Sequence, residues 1–289
     1  MEEQLISARV DGIVGDLPAL PAVVAEVLRL TEDPNTSTVD VSEVIQSDPA
    51  MTAKVLRISN SSYYGMKQYV GTLKLALVIL GVREVRNIVL GISVFETASE
   101  SGSDIKVAQD IWNQSLKTAG ICKKLSAVMG LGLQGEEFIA GLLADIGIMG
   151  LLRSDDATYK ALFSSLGQDQ LALRKAEKLH YGFTHAAVSM AMTQRWNLPQ
   201  TLSDAVGMQY PAEGLALEEA KDPKLTALVR IAKGIDHSRE GEHRIARVLE
   251  DDAAWAILAE SRKPIAVEDR KPLLLEFLEE LNAVAALPL

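Results

Sequence analysis

Apolar residues recur three and four positions apart through most of this 289-residue chain. One such run comprises Val85, Ile88, Val89, Ile92 and Phe95. This spacing places the side chains on one face of a helix and differs from the alternation of a β-strand. Apolar residues make up 48% of the chain but aromatic residues only 5%. Aliphatic side chains must therefore fill the interior, and the sequence predicts an all-α fold.

Two stretches of small or polar residues interrupt the helical pattern, one at Ser99–Asp104 and one at Pro211–Pro223. Such composition favours exposed turns over a packed core. We place a domain boundary near Ser101. The expected organisation is an N-terminal helical lobe over residues 1–101 and a second helical lobe over residues 102–289.

Helix starts are marked by polar caps and early prolines. Asp48-Pro49 and Thr184 each precede a run of apolar residues at helical spacing. We also expect a docked helix from Pro272 onward, as a C-terminal helical extension. Its apolar face would comprise Leu274, Phe277, Leu278, Leu281 and Val284.

The net charge and the cysteine content indicate which partners and which cellular compartment to expect. The formal net charge of −10 opposes broad attraction to nucleic acid and to anionic lipid. The single cysteine, Cys122, cannot form an internal disulfide, and we interpret it as a buried structural thiol. The acidic start lacks the features of a signal peptide, and the longest apolar stretch is too short to cross a bilayer. We therefore expect a cytoplasmic protein with no membrane contact.

The segment Val44–Ser61 contains Asp48-Pro49, Lys54-Val55-Leu56-Arg57 and Asn60-Ser61 in one continuous pattern. It resembles the signature of the HDOD (HD-related output domain) family, with flanking matches at Leu17–Pro21 and Ala76–Gly81. The resemblance covers roughly residues 15 to 240. It implies an N-terminal helical bundle packed on a degenerate HD-domain-like lobe. It also implies a role in bacterial signal transduction through protein contacts, often in two-component or cyclic-nucleotide pathways.

The same resemblance implies a metal site that has lost its ligands. In an HD domain, His and Asp side chains from several helices hold metal ions that activate water. Here Ala144 replaces the His of the paired His-Asp motif, Gln114 stands where an upstream His is expected, and Lys233 stands where the closing Asp is expected. Only Asp145 and His185 remain as ligand types, and two ligands do not make a catalytic site.

We therefore expect no catalytic residue, no metal, no cofactor and no enzymatic activity. The leading hypothesis is an output or adaptor module that binds signalling proteins or a small nucleotide. The alternative is a residual metal-dependent phosphohydrolase that uses Asp145, His185 and, after a shift of register, Asp236 in place of Lys233. If no metal binds, His185 and Asp145 are expected to be held by hydrogen bonds.

A basic segment is the candidate partner-binding surface. From Met51 to Phe95 there are six basic residues against one acidic residue, a local charge of +5. The candidate contact residues are Lys54, Arg57, Asn60, Ser61, Tyr64, Arg83 and Arg86.

Simpler interpretations of the basic segment stay open. The charged residues are also compatible with solvated helix faces, and Asn60 and Ser61 with a helix terminator and loop brace. A nucleotide or nucleic-acid binder would use Lys54, Arg57, Arg83 and Arg86. Nucleic acid is the less favoured partner, because no groove-reading motif accompanies the charge.

Overall fold

The structure is a computed structural model. It describes residues 2–33, 35–61, 63–99, 105–133, 135–154, 156–167, 169–210, 216–235, 245 and 248–282. These residues form helices and turns and no β-strand, which confirms the all-α prediction. None of the described helices combines the length and apolarity that a membrane span requires.

In the described residues before position 100, the chain forms six helices. They are α1 (Glu2–Gly15), α2 (Ala22–Glu32), α3 (Thr38–Gln46), α4 (Pro49–Ser59), α5 (Leu73–Leu80) and α6 (Val82–Ser99).

The other helices whose bounds the structure describes begin after residue 104. They are α7 (Ile105–Met129), α8 (Glu136–Leu143), α9 (Ile146–Ser154), α10 (Asp156–Leu166), α11 (Gln170–Tyr181), α12 (His185–Arg195), α13 (Gln200–Gly207), α14 (Pro223–Gly234), α15 (Asp252–Ala259) and α16 (Val267–Asn282). A short 3-10 turn at Leu217–Glu219 precedes α14.

The core runs through both parts of the chain. Helices α7, α8, α13 and α14 pack together, α12 packs on α9, and α6 packs on α8 and α9. Helix α1 lies against α9 and α12, and Arg9 donates a hydrogen bond of 2.8 Å to the Tyr181 carbonyl. The boundary near Ser101 stays a prediction, because residues 100–104 lie outside the described part of the chain.

Two predicted helix starts are confirmed. Helix α4 begins at Pro49, and the Asp48 side chain caps it by accepting a hydrogen bond of 3.0 Å from the Met51 amide. Helix α12 begins directly after Thr184, although the Thr184 side chain makes no capping bond. Local capping chemistry therefore fixes where α4 starts, whereas tertiary contacts position the start of α12.

The predicted start of the C-terminal helix at Pro272 was wrong. Helix α16 begins at Val267 and contains Pro272. Pro272 lies on the exposed side, where water can satisfy the carbonyl that a proline leaves without an amide partner. Leu274, Phe277 and Leu278 are buried, as expected for a docked helix. The side chain of Leu281 and all of Val284 lie outside the described part.

Candidate functional site

Asp145 and Lys233 form a buried ion pair at the centre of the second part of the chain. Asp145 lies at the junction of α8 and α9, and Lys233 lies in the last turn of α14. The Lys233 Nζ is 2.7 Å from both carboxylate oxygens of Asp145. Lys233 is 6% exposed and Asp145 is 1% exposed, so solvent does not screen the pair.

His185, the first residue of α12, is fully buried beside this pair. Its Nε2 lies 3.4 Å from Asp145 Oδ1 and 3.0 Å from the Tyr210 hydroxyl. Its Nδ1 lies 2.9 Å from both carboxylate oxygens of Glu177, and its backbone amide donates to Glu177 Oε2 at 3.0 Å. Both ring nitrogens of His185 are therefore engaged.

Glu177 completes the arrangement from α11, where it is fully buried. The Tyr159 hydroxyl donates a hydrogen bond to Glu177 Oε1. Burial and the neighbouring Glu177 carboxylate hold the pKa of Tyr159 well above its usual value, so Tyr159 acts as a neutral donor. We call the four side chains of Asp145, Glu177, His185 and Lys233 the charged network.

A close approach of two helices brings the network together. Gly147 lies at the start of α9 against α12, where a Cβ atom would lie 2.0 Å from the His185 carbonyl oxygen. The Gly147 amide donates to Ser189 Oγ at 2.9 Å, and Ser189 Oγ donates to the Ala144 carbonyl at 2.9 Å. Any larger side chain at position 147 would move α12, and with it His185, away from Asp145.

The network is electrostatically self-compensated. Burial by itself would raise the pKa of Asp145, but the Lys233 ammonium and His185 outweigh it and hold that pKa well below its ordinary value. Burial would likewise lower the pKa of His185, but Glu177 and Asp145 outweigh it and raise that pKa to about 9. At neutral pH two carboxylates therefore face one imidazolium and one ammonium, which sum to zero charge.

These residues do not fit a divalent metal. Glu177 contacts Nδ1 of the imidazole and Asp145 faces Nε2, so the two carboxylates lie at different edges of the ring. Both oxygens of Asp145 are already bound to an ammonium. Throughout the described part of the chain, no three His, Cys, Asp or Glu side chains are grouped so that they could hold a metal ion.

The other positions of the predicted metal site, Gln114, Ala144 and Asp236, belong to no described ligand cluster. Gln114 is half-buried on α7. Ala144 is buried, and its carbonyl also accepts a hydrogen bond from Gln209. Asp236 lies outside the described residues. Cys122 is fully buried, and burial raises the pKa of its thiol, which suits a structural role.

Glu177 and Tyr159 were missed by the sequence analysis. A weak signal for Glu177 exists, since it follows Leu173 by four positions and precedes Tyr181 by four, on the buried face of α11. A carboxylate on a buried stripe needs a partner. The sequence does not reveal that this partner is His185.

Three of the predicted partner-binding residues are engaged inside the protein. Asn60 Nδ2 donates to the carbonyls of Leu56 and Val70 at 2.8 Å, and Asn60 Oδ1 accepts from the Val70 amide at 2.7 Å. Ser61 is buried and donates to the Ile58 carbonyl. Tyr64 is buried against Phe138.

The four basic candidates are more accessible. Arg57 and Arg83 are exposed, and Arg86 is half-buried with its guanidinium donating to Asn87 Oδ1. Lys54 forms an ion pair with Glu96 on α6. The seven candidates therefore do not form one exposed surface.

Comparisons with known proteins identify the family. The family profile of the HDOD domain matches residues 17–212. The chain belongs to the HDOD family. An uncharacterized protein of Treponema pallidum (strain Nichols) is 22% identical over 206 residues, which cover 71% of this chain and 40% of that protein. The chain thus spans less than half the length of this curated relative.

Three solved structures share the fold. An HDOD domain protein with unknown function from Geobacter sulfurreducens gives a TM-score of 0.74 at 19% identity, covering 98% of each chain. A protein of Marinobacter aquaeolei VT8, provisionally named a signal transduction protein, gives a TM-score of 0.70 at 18% identity. The match covers 97% of this chain and 63% of that one. A protein of Shewanella amazonensis SB2B, provisionally named a phosphohydrolase, gives a TM-score of 0.69 at 23% identity. The match covers 97% of this chain and 98% of that one.

Proposed function

We propose that the chain is a non-catalytic output or adaptor module of bacterial signal transduction, acting in the cytoplasm through contacts with other proteins. The single observation that carries this proposal is that the Lys233 ammonium is hydrogen-bonded to both carboxylate oxygens of Asp145. An internal cation occupies the carboxylate that HD chemistry would offer to a metal. The HDOD family membership and the signal-transduction name of the Marinobacter structure support the same function.

The physical case concerns both charge and access. A divalent ion would have to displace the Lys233 ammonium and add positive charge to a network that is already balanced. Hydrolysis also needs a coordination position open to water and substrate. Asp145 and His185 are 1% and 0% exposed, and both edges of the imidazole are occupied.

The rival function is metal-dependent phosphohydrolysis by Asp145 and His185, with Asp236 as a further ligand. Two Shewanella amazonensis structures carry provisional phosphohydrolase names, but at 23% and 17% identity they share the fold alone. Nucleotide binding through Lys54, Arg57, Arg83 and Arg86 has less support, because Lys54 is paired with Glu96 and Arg86 with Asn87.

Metal analysis combined with a phosphodiesterase assay tests the proposal. We expect the purified full chain, incubated with Mn²⁺ or Mg²⁺ and desalted, to retain no stoichiometric metal. It should also hydrolyse bis-p-nitrophenyl phosphate no faster than buffer with the same metal. The matched variants are His185→Gln, which removes the buried imidazole, and His180→Gln, which makes the same substitution at an exposed histidine of α11. Circular dichroism shows that each variant is folded.

The proposal fails if the protein retains metal in a stoichiometric amount and hydrolyses the ester at a rate that His185→Gln abolishes and His180→Gln preserves. Hydrolysis that persists in His185→Gln would point to a contaminating enzyme, and the adaptor proposal would stand.

A further inference from the structure

Helix α5 is apolar on both of its faces. Leu73, Ala76 and Leu77 are buried against α3, α4 and α6. On the opposite face, Leu75, Val78 and Ile79 are 38%, 68% and 47% exposed. Because these positions are three and four apart, they form one stripe in solvent. A helix that is apolar all round is normally covered on both faces.

A cavity lies at the junction of α5 and α6, and its lining begins at Leu80, the residue after Ile79. This cavity has a volume of about 480 Å³ and is lined in part by Leu80, Gly81, Val82 and Arg83. Two glutamates also line it, and both are engaged: Glu84 pairs with Lys123 at 2.7 Å, and Glu137 accepts from the Gly135 amide at 3.0 Å. The surface is therefore a convex apolar stripe beside a concave end.

The charged residues that flank the stripe in the sequence are basic. No Asp or Glu occurs between Asp48 and Glu84 in the sequence. Lys74 lies on the stripe itself, one turn before Val78, and is exposed. Lys67 and Arg83 flank α5 in the sequence and are also exposed. Neither Lys67 nor Lys74 forms an ion pair with any residue that the structure describes.

We propose that Leu75, Val78 and Ile79, together with the adjoining cavity and the flanking Lys67, Lys74 and Arg83, bind an acidic amphipathic helix of a partner protein. We call these residues the docking face. Apolar residues of the partner helix, spaced three and four apart, lie on the stripe, and its carboxylates face the basic residues. This inference rests on the proposed adaptor function and names the class of partner.

Two other occupants fit the docking face less well. A second copy bound through the same surface would bring Lys67, Lys74 and Arg83 of both copies together, because a twofold interface pairs a patch with itself. An anionic membrane would meet the same basic residues, but its surface is flat. A flat bilayer leaves the cavity beside Leu80 unfilled.

A pair of synthetic peptides tests the inference on the full-length protein by fluorescence anisotropy. Each peptide has about 18 residues, or five helical turns, with Leu at helical spacing. The remaining positions are Glu in one peptide and Lys in the other. We expect the acidic peptide to bind about tenfold or more tightly than the basic one, with an affinity that falls as salt is added.

Variants locate the binding site. Val78→Glu should weaken binding of the acidic peptide by about tenfold or more, because it places a carboxylate in the apolar contact. Lys74→Glu should weaken it severalfold. The matched controls on α11 are Leu179→Glu, at a side chain that is 90% exposed, and Lys178→Glu, at an exposed lysine. Neither control should change the affinity.

Several outcomes would overturn the inference. They are equal affinity for the two peptides, no binding of either, or unchanged binding to Val78→Glu. Binding of phosphatidylserine vesicles that Val78→Glu abolishes would assign the face to a membrane. A dimer in light scattering that Val78→Glu dissociates would assign it to a second copy. None of these results affects the metal analysis, which decides the adaptor proposal separately.

Discussion

The charged network and the docking face handle charge in opposite ways. Inside the protein, Asp145, Glu177, His185 and Lys233 are buried, and each faces a group of opposite sign. On α5, Lys74 is exposed on an apolar stripe with no acidic residue near it in the sequence. The charges of the network are therefore neutralised by one another within the fold. The docking face has exposed apolar area, and its Lys67 and Lys74 form no ion pair with any residue that the structure describes.

This difference separates the charged residues that affect the stability of the fold from those that are available to a binding partner. Buried charges cost several kcal/mol each in lost hydration, so only a complete set of partners is tolerated. Exposed charges keep their hydration and contribute little to folding. Substitutions in the network should therefore alter stability strongly, whereas charge changes beyond it should alter stability weakly.

Lys233→Met tests the buried half of this comparison and has the largest expected effect. The substitution keeps the apolar stem but leaves Asp145 buried without its ammonium partner. We expect a loss of about 3–5 kcal/mol in the free energy of unfolding, the range for breaking one side of a buried ion pair. Urea denaturation followed by circular dichroism measures it.

The double variant Asp145→Asn/Lys233→Met is the control for that experiment. With both charges removed, Glu177 and His185 still balance each other, so the double variant should be more stable than Lys233→Met alone. A Lys233→Met protein as stable as the wild type would show that Asp145 finds another partner, and the network as described would be wrong.

The pH dependence of stability has the next largest expected effect. His185 has a pKa of about 9 in the folded protein against 6.5 ordinarily. A raised folded pKa contributes stability that is complete below 6.5 and disappears as the pH rises through about 9. The pKa of Asp145 is lowered, so its contribution is present above 3.8 and is lost as the pH falls through the lower folded value.

Urea unfolding measured from pH 5 to pH 10 checks the alkaline limb. We expect a loss on the order of 3 kcal/mol between the unfolded and folded pKa values of His185, since each pKa unit corresponds to about 1.4 kcal/mol. His185→Gln should flatten this limb, because the amide does not titrate. A wild-type curve that is already flat between pH 6.5 and pH 9 would contradict the imidazolium assignment.

The sequence predicts local features of this protein well. Helical spacing predicts the all-α fold, and Asp48 predicts the start of α4, because periodicity and capping depend on residues a few positions apart. The sequence leaves two roles open for Asn60, a partner contact and a helix terminator and loop brace. The structure adds that the brace reaches Val70, ten residues further on, through two hydrogen bonds.

The sequence does not predict pairings between distant helices. The family resemblance places Lys233 where a metal-binding Asp is expected, but nothing in the sequence showed its ammonium bound to Asp145, 88 residues away. The docking face was missed for a related reason. Helix α5 is apolar at almost every position, so its sequence does not distinguish the buried side from the exposed one. Only the packing of α3, α4 and α6 decides which side faces solvent.

Lys54→Met repeats the network substitution at a half-exposed ion pair and has the smallest expected effect. The side chains of Lys54 and Glu96 are 27% and 28% exposed, so water and salt screen their interaction. We expect Lys54→Met to change the free energy of unfolding by less than about 1 kcal/mol, and the small loss to shrink further at high salt. Urea denaturation at low and high NaCl, with Glu96→Gln as the partner control, measures it. A loss as large as that of Lys233→Met would mean that burial does not distinguish the two pairs. The contrast between a self-balanced interior and a weakly stabilising charged surface would then fail.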